Sequence, residues 1–310
     1  MNITSNLPRF QCNENDLPNY YNQTSKSKYS QKANFNYQSS CGIHDNFIDL
    51  LNDNESRNKD SQSKCITEIY KNLKKKESIC VNDYMKWQID INHRMREILI
   101  DWLFEIQSNL FQNYDIIFLA VNLIDRYLNI NKIQRDKLQL LGITAYMIAS
   151  KYYSFKGLEP KFCSYCTENF YKPEEIIDLE NNLLILVSYQ LEISTINKFI
   201  PIFTSYLDMN KQESNLALML ACISLECYEI IKFKPSLIAL YCCQLAKSFI
   251  SKTPLDLLLS EYPENELKES IAMLKKSFQE MKDNSHSTLI IIFSRNEFNN
   301  VAKNEVYINS

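Results

Sequence analysis

Glycine is nearly missing from this chain: among 310 residues only Gly42, Gly142 and Gly157 occur. No two of them stand close enough for a G-x-G-x-x-G turn or a Walker loop, which excludes both ways of cradling phosphate on backbone N–H groups. So few residues suited to positive φ also argue against an architecture of tight β-hairpins. Histidine is equally rare. His44, His93 and His286 lie far apart, which excludes the H-E-x-x-H zinc helix. No uncharged apolar run reaches the length of a membrane span, and no apolar stretch of secretory type follows the first residues. An excess of one charge is lacking too. Lys and Arg number 34 against 37 Asp and Glu, and a net charge of −3 supplies no general attraction to nucleic acid.

Cysteine, by contrast, occurs ten times, at 12, 41, 65, 80, 163, 166, 222, 227, 242 and 243. Without a secretory signal these are expected to be reduced thiols rather than a disulfide framework. Cys163 and Cys166 have C-x-x-C spacing, but no second such pair and no H-x-H completes a metal-binding set. Cys222, Cys227, Cys242 and Cys243 sit among Leu, Ile and Ala, where the thiol behaves as a small hydrophobe. No metal, no cofactor, no nucleic acid and no membrane is expected as a partner.

What is present is helical periodicity. A length of 310 residues suggests two domains with accessory segments, and 45% hydrophobic with 23% charged residues is the composition of an ordinary globular protein. Residues 1–60 are rich in Asn, Ser, Gln and Tyr without apolar period and are expected to form a flexible arm. Residues 61–92 hold a short helix, marked by Ile66, Ile69, Tyr70 and Leu73, and a lead-in. Across 93–193 come Met95–Ile106, apolar over most of its circumference, then Ile116–Leu128, Leu138–Tyr153, a short segment from Pro160, and Glu174–Tyr189. Pro173 with Glu174 and Glu175 is a helix-start pattern, acids facing the positive end of the dipole. Across 194–290 follow Thr195–Leu207, Ser214–Ile231, Pro235–Ile250 and Asn265–Met281, with Pro201 expected to kink the first or mark its start. Residues 291–310 form a tail. Small residues in Ala145–Lys151 and Ala239–Lys247 suit central helices closely ringed by others. The fold class is therefore all-α, two consecutive five-helix bundles after an N-terminal helix.

The string MREILIDWL at Met95–Leu103 resembles the first-helix motif of the cyclin box. The approach, Tyr84–Asn92, looks like the segment preceding that helix in mitotic cyclins of the A and B types. LAVNLIDRYL (119–128), KLQLLGITAYMIASKY (137–152) and the run ending Asp178-Leu179-Glu180 continue the match in register. The second half is similar at Leu191–Phe199 and Lys234–Ala239, and Arg295-Asn296-Glu297-Phe298 resembles the family's C-terminal segment. The resemblance spans about residues 65–308 and makes the two bundles cyclin boxes. It implies a regulatory subunit, without catalytic residues of its own, that binds and activates a cyclin-dependent protein kinase as a heterodimer and helps recruit substrates.

Carried over residue by residue, the resemblance assigns Lys151 and Glu180 to the grip on the kinase's αC helix. On chemistry alone, Lys151 equally suits a helix C-terminus and Glu180 a solvated face. Where cyclins usually carry Phe-Glu-Glu, this chain has Tyr152-Tyr153-Ser154; two acids are missing, and the aromatics offer apolar contact instead. Ile69 and Leu73 match positions that pack on the kinase, though their spacing also fits packing on the chain itself. Met95, Ile98, Leu99 and Trp102, spaced i, i+3, i+4 and i+7, match the patch that docks RxL-type peptides, completed by Glu105, Leu138 and Gln139. Core packing is the alternative for such a face, but Ile100, Leu103, Phe104 and Ile106 already supply a separate one. Arg96 and Asp125 match a structural ion pair between the first two helices.

The arm has no Arg-x-x-Leu and no Lys-Glu-Asn, so a destruction signal is not expected there. Arg96–Leu99 and Arg135–Leu138 fit the former pattern but fall in predicted helix. Thr253-Pro254 is the single Ser/Thr-Pro site. Lys74-Lys75-Lys76 suits a helix end as well as a nuclear address; nucleus and cytoplasm are the expected locations. Two other functions are compatible with helices alone. One is a cyclin-fold protein acting with a transcriptional kinase or as a transcription factor, which the acidic balance disfavours. The other is a carboxylate enzyme built on Asp101 and Glu105, for which no nucleophile or cofactor site is at hand.

Overall fold

The computed structural model describes residues 59–77, 83–110, 112–252, 264–283 and 287–303. Among these residues there are eleven α-helices, short 3-10 turns and no strand. The helices are α1 (Lys59–Lys75), α2 (His93–Leu110), α3 (Tyr114–Leu128), α4 (Leu138–Tyr153), α5 (Pro160–Cys166), α6 (Pro173–Leu186), α7 (Ile196–Tyr206), α8 (Lys211–Glu226), α9 (Pro235–Ser251), α10 (Glu264–Asp283) and α11 (Thr288–Phe293). Nearly all of the expected arm, and Thr253-Pro254, lie outside the described residues.

Helices α2–α6 pack as one bundle and α7–α10 as a second. In the first, α4 is the central helix: every residue from Leu138 to Ser150 is buried. Its small residues are what let neighbours approach. A methyl group on Gly142 would stand 2.6 Å from Leu99 Cδ1 on α2. In the second, α8 and α9 are buried over Leu216–Leu225 and Ser236–Ala246. Burying one such Leu or Ile side chain contributes about 1.5–3 kcal/mol.

Local chemistry sets the boundaries. The Asn113 side chain accepts from Asp115 N at the start of α3, and Asn210 with Glu213 makes a reciprocal cap at the start of α8. Pro173 opens α6, whose Glu175 accepts from Lys172 N at 3.0 Å. α7 runs on through Pro201, so this residue does not mark the helix start. α8 stops at Glu226, and Tyr228–Lys232 form a 3-10 turn where a continuous helix to Ile231 was expected. α6 likewise ends at Leu186, because Ser188 and Tyr189 adopt left-handed backbone, φ 53° and 58°. α1 begins at Lys59, inside the span assigned to the arm, and is longer than its apolar spacing suggested.

α1 is bound to the second bundle. Tyr70 stands edge-on to Phe199 and Phe203 of α7, centroids 6.0 Å away in each case. At its end Lys76 O accepts from Ser194 N, and Glu77 accepts from Ser236 N at 2.6 Å in the first turn of α9. Lys74 Nζ reaches both Glu77, at 2.8 Å, and Ser236 Oγ, at 2.9 Å. A carboxylate there meets the positive end of the α9 dipole. The tail is bound to the first bundle. α11 carries no side-chain cap of its own; Asp101 of α2 accepts from Thr288 N and from Thr288 Oγ1, both at 3.1 Å. Arg295 donates to Ser108 Oγ at 2.6 Å.

Candidate functional site

The end of α4 and the middle of α6 meet at the surface. Lys151 Nζ donates to both carboxylate oxygens of Glu180, at 2.7 and 2.8 Å. The pair is partly open to solvent, side chains 41% and 14% exposed, and stabilises the fold by no more than about 1 kcal/mol. Beside it Tyr152 is 44% exposed and edge-on to Tyr153. The loop that follows is pinned: Ser150 Oγ accepts from Leu158 N at 2.9 Å, and Gly157 packs directly on Lys151.

The expected docking face of α2 is largely closed. Leu99 and Trp102 are 1% and 3% exposed, and Leu138 and Gln139 on α4 are buried too. Only Met95, Ile98 and Glu105 reach solvent in part. The expectation that Ile100, Leu103, Phe104 and Ile106 would leave the first stripe bare is thus corrected, since α4 presses against α2 where Gly142 permits it. Two polar atoms in this closed patch are unmatched: Trp102 Nε1 and Gln139 Nε2 are buried with no hydrogen-bond acceptor. Buried donors of this kind cost free energy until something accepts from them.

Arg96 is buried, and its guanidinium holds Asp125 through two bonds, Nε to Oδ1 at 2.8 Å and Nη2 to Oδ2 at 2.7 Å. Tyr84 donates to the same Oδ1 at 2.7 Å. The remaining Arg96 arm donates to Leu225 O at the end of α8, 2.8 Å away, so the pair also ties the two bundles together. Burial works against the charged guanidinium, but Asp125 and Tyr84 together outweigh it and hold Arg96 above the ordinary arginine range. Tyr84 is pushed up as well, by burial first and then by Asp125. Tyr228 completes the cluster, accepting from Met85 N and donating to Asp83.

Of the α1 residues, Leu73 packs on the chain's own core with Tyr70, and both it and Ile69 stay part-exposed. Sequence reasoning missed four exposed apolar side chains: Phe155 just past α4, Ile177 and Ile185 on α6, and Tyr189 just beyond it. Ile177, one turn before Glu180, was legible from helical spacing; Tyr189 owes its exposure to the left-handed turn, which no spacing announces. A second missed group lies where α2, α8 and α11 meet. Glu226 Oε1 is buried without a partner, and burial, then the Asp101 and Glu97 carboxylates, push this acid well above its usual range. Asp101 is pushed up by burial, partly offset by its bonds from Thr288.

No three His, Cys, Asp or Glu side chains among the described residues gather as a metal site. The cyclin N-terminal domain family matches residues 68–192 and the cyclin C-terminal domain family residues 194–306. The chain belongs to the cyclin family. It is 29% identical over 303 residues to "Putative cyclin-A3-1" of Arabidopsis thaliana, covering 93% of this chain and 84% of that one. It is 32% identical over 232 residues to "Cyclin-A1-2" of the same plant, covering 71% of this chain and 52% of the relative. With "G2/mitotic-specific cyclin-A" of Patella vulgata the identity is 31% over 215 residues, 68% of this chain and 50% of the other. The chain thus spans about half the length of these last two relatives. Among solved structures, a viral cyclin from herpesvirus saimiri superposes with a TM-score of 0.59 at 18% identity, over 69% of this chain and 96% of that one. A chain of the yeast RNA Pol II CTD kinase CTDK-1 complex gives 0.52 at 15% identity, over 69% and 70%. These two likenesses concern the fold alone.

Proposed function

We propose that the face carrying Lys151, Glu180, Tyr152 and Ile69 seats a cyclin-dependent protein serine/threonine kinase and holds it active. The observation that carries this is the two-pronged Lys151–Glu180 pair, at the surface where α4 meets α6 and flanked by exposed Tyr152. A subunit that binds the inward position of the kinase αC helix favours the arrangement in which the kinase's own Lys–Glu pair forms and its activation loop is ordered. Activation then costs no chemistry on this chain.

The second part of the proposal is substrate docking on α2. Met95, Ile98 and Glu105 form a part-exposed rim, apolar with one acid, that suits a Leu and a basic residue of an RxL-type peptide. The unmatched Trp102 Nε1 and Gln139 Nε2 are buried beneath it and become donors for peptide carbonyls only when the contact between α2 and α4 opens. Action in the nucleus and the cytoplasm belongs to the same proposal, and imaging a fluorescent fusion through one division tests it. The transcriptional-kinase alternative has only fold likeness behind it, whereas the named relatives are A-type and G2/mitotic cyclins.

The test combines purified full-length chain with each cell-cycle kinase of its source and reads histone phosphorylation. Activation by wild type that a Lys151→Ala/Glu180→Ala double variant loses supports the proposal. Equal activation by a folded double variant sinks the assigned surface.

A further inference from the structure

Between the two boxes lies a cavity of about 80 Å³, where α2 and α3 of the first face α7, α8 and the turn into α9 of the second. Phe118, Val121, Ile196, Ile231, Phe233 and Ile238 make its wall mainly apolar. Ile196, Ile231, Pro235 and Asn122 are the part-exposed side chains among those lining it, and they mark its mouth.

Most polar groups in the wall are already committed. Arg96 and Asp125 hold each other through two bonds, and the remaining Arg96 arm donates to Leu225 O. Ser224 Oγ donates to Ala221 O at 2.6 Å, and Thr195 Oγ1 to Asn197 Oδ1, also at 2.6 Å. Asn122 differs. Its Oδ1 is buried and finds no donor among the described residues. A buried acceptor of this kind costs free energy that the N–H of a ligand restores.

Size and charge then define the occupant. Pockets that enclose a whole cofactor or metabolite measure about 300–1,000 Å³, several times this volume. A cavity of about 150 Å³ takes a benzene ring, so one of roughly half that volume takes a group of about four carbons. That is one branched aliphatic side chain. With Arg96 offset by Asp125, a charged group lodged here would lose its hydration without gaining a counter-ion.

We propose that this cavity docks a partner protein other than the kinase, through one Leu, Ile or Val on an uncharged peptide segment whose amide N–H donates to Asn122 Oδ1. No residue of the Lys151–Glu180 face or of the α2 rim lines it, so the site is separate from both surfaces proposed above. Both boxes build it, and only the assembled chain offers it.

The experiment selects short random displayed peptides on the full-length chain, with counter-selection on Ile231→Trp, whose indole would fill the mouth. Asn122→Leu removes the acceptor and adds apolar volume, and serves as the second variant if Ile231→Trp does not melt as wild type does. Recovered peptides should share one Leu, Ile or Val with no charged neighbour. By fluorescence polarisation they should bind the folded variants at least about tenfold more weakly than wild type. Kinase activation by the same variants should be unchanged. Recovery of no peptide, or equal binding to the variants, overturns the docking site. Binding of N-acetyl-leucinamide seen by NMR without any recovered peptide would assign the cavity to a free small molecule and overturn the protein partner. Joint loss of peptide binding and kinase activation in a folded variant would place the peptide on the kinase face and overturn the proposal as well.

Discussion

Gly157 lies so close to Lys151 that a methyl group in place of its α-hydrogen would stand 2.6 Å from the Lys151 Cα and 2.5 Å from its Cγ. The first of these atoms is backbone and cannot swing away. Gly157→Ala must therefore shift the end of α4 and pull Lys151 Nζ off Glu180. We expect a stability loss of about 1–3 kcal/mol by denaturant titration, together with weaker kinase activation. A variant with wild-type stability and activation would contradict the close packing.

Arg96→Ala should be far more damaging, by about 3–5 kcal/mol, because it strands the buried Asp125 carboxylate. Arg96→Lys should recover only part of this, since a single ammonium cannot reproduce the two-pronged bond. Chemical denaturation of both variants decides the matter; an Arg96→Ala protein as stable as wild type would show the pair to be idle.

Whether the α2 patch serves docking or only packing is separable at Trp102. Trp102→Ala should cost about 3–5 kcal/mol, as for any large buried ring. Trp102→Phe keeps most of the volume and removes the unmatched N–H, so it should stay folded while binding an RxL-type peptide more weakly than wild type. Peptide titration followed by fluorescence polarisation reads this, and unchanged affinity would remove the indole from the site.

Glu226 gives a pH dependence with a definite sign. Its folded-state pKa is raised, by burial and then by Asp101 and Glu97, so the native chain holds this proton more tightly than the unfolded chain. Stability associated with it is present below the ordinary glutamate range and falls as pH rises from there toward the raised value. Glu226→Gln should melt higher than wild type at neutral pH, with the gap closing in acid. Melting temperatures across pH check this; a gap that is constant or reversed would refute it.

Much of this arrangement was legible in the residues. The long periodic segments gave the helices, because a 3.6-residue repeat of Leu, Ile and Ala has one good burial solution. Boundaries were less legible: α6 and α8 both stop short of their apolar patterns, since Tyr189 and Ile231 serve turns that periodicity alone cannot distinguish from helix. At the site, Lys151 and Glu180 were recognisable from motif register, but their mutual bond depends on how α4 and α6 cross. The α2 stripe was mistaken for an open face because i, i+3, i+4, i+7 spacing reports a common side and not what lies against it. Only the absence of a Cβ at Gly142 hints that α4 comes so near Leu99. Glu226 was overlooked for the same reason, its environment being assembled from three distant helices.

Arg96 of the first box donates to Leu225 O of the second, and at the end of the N-terminal helix Glu77 and Lys76 O accept from Ser236 N and Ser194 N, so the first box and the helix before it share bonds with the second box. Each half holds groups whose partners belong to the other, so neither is a module that evolution or an experimenter can lift out intact. A chain cut after residue 193 would keep Arg96 and Asp125 but lose the roof over them. Melting should accordingly be a single event for both halves, and sequence drift in one box should be constrained by the other.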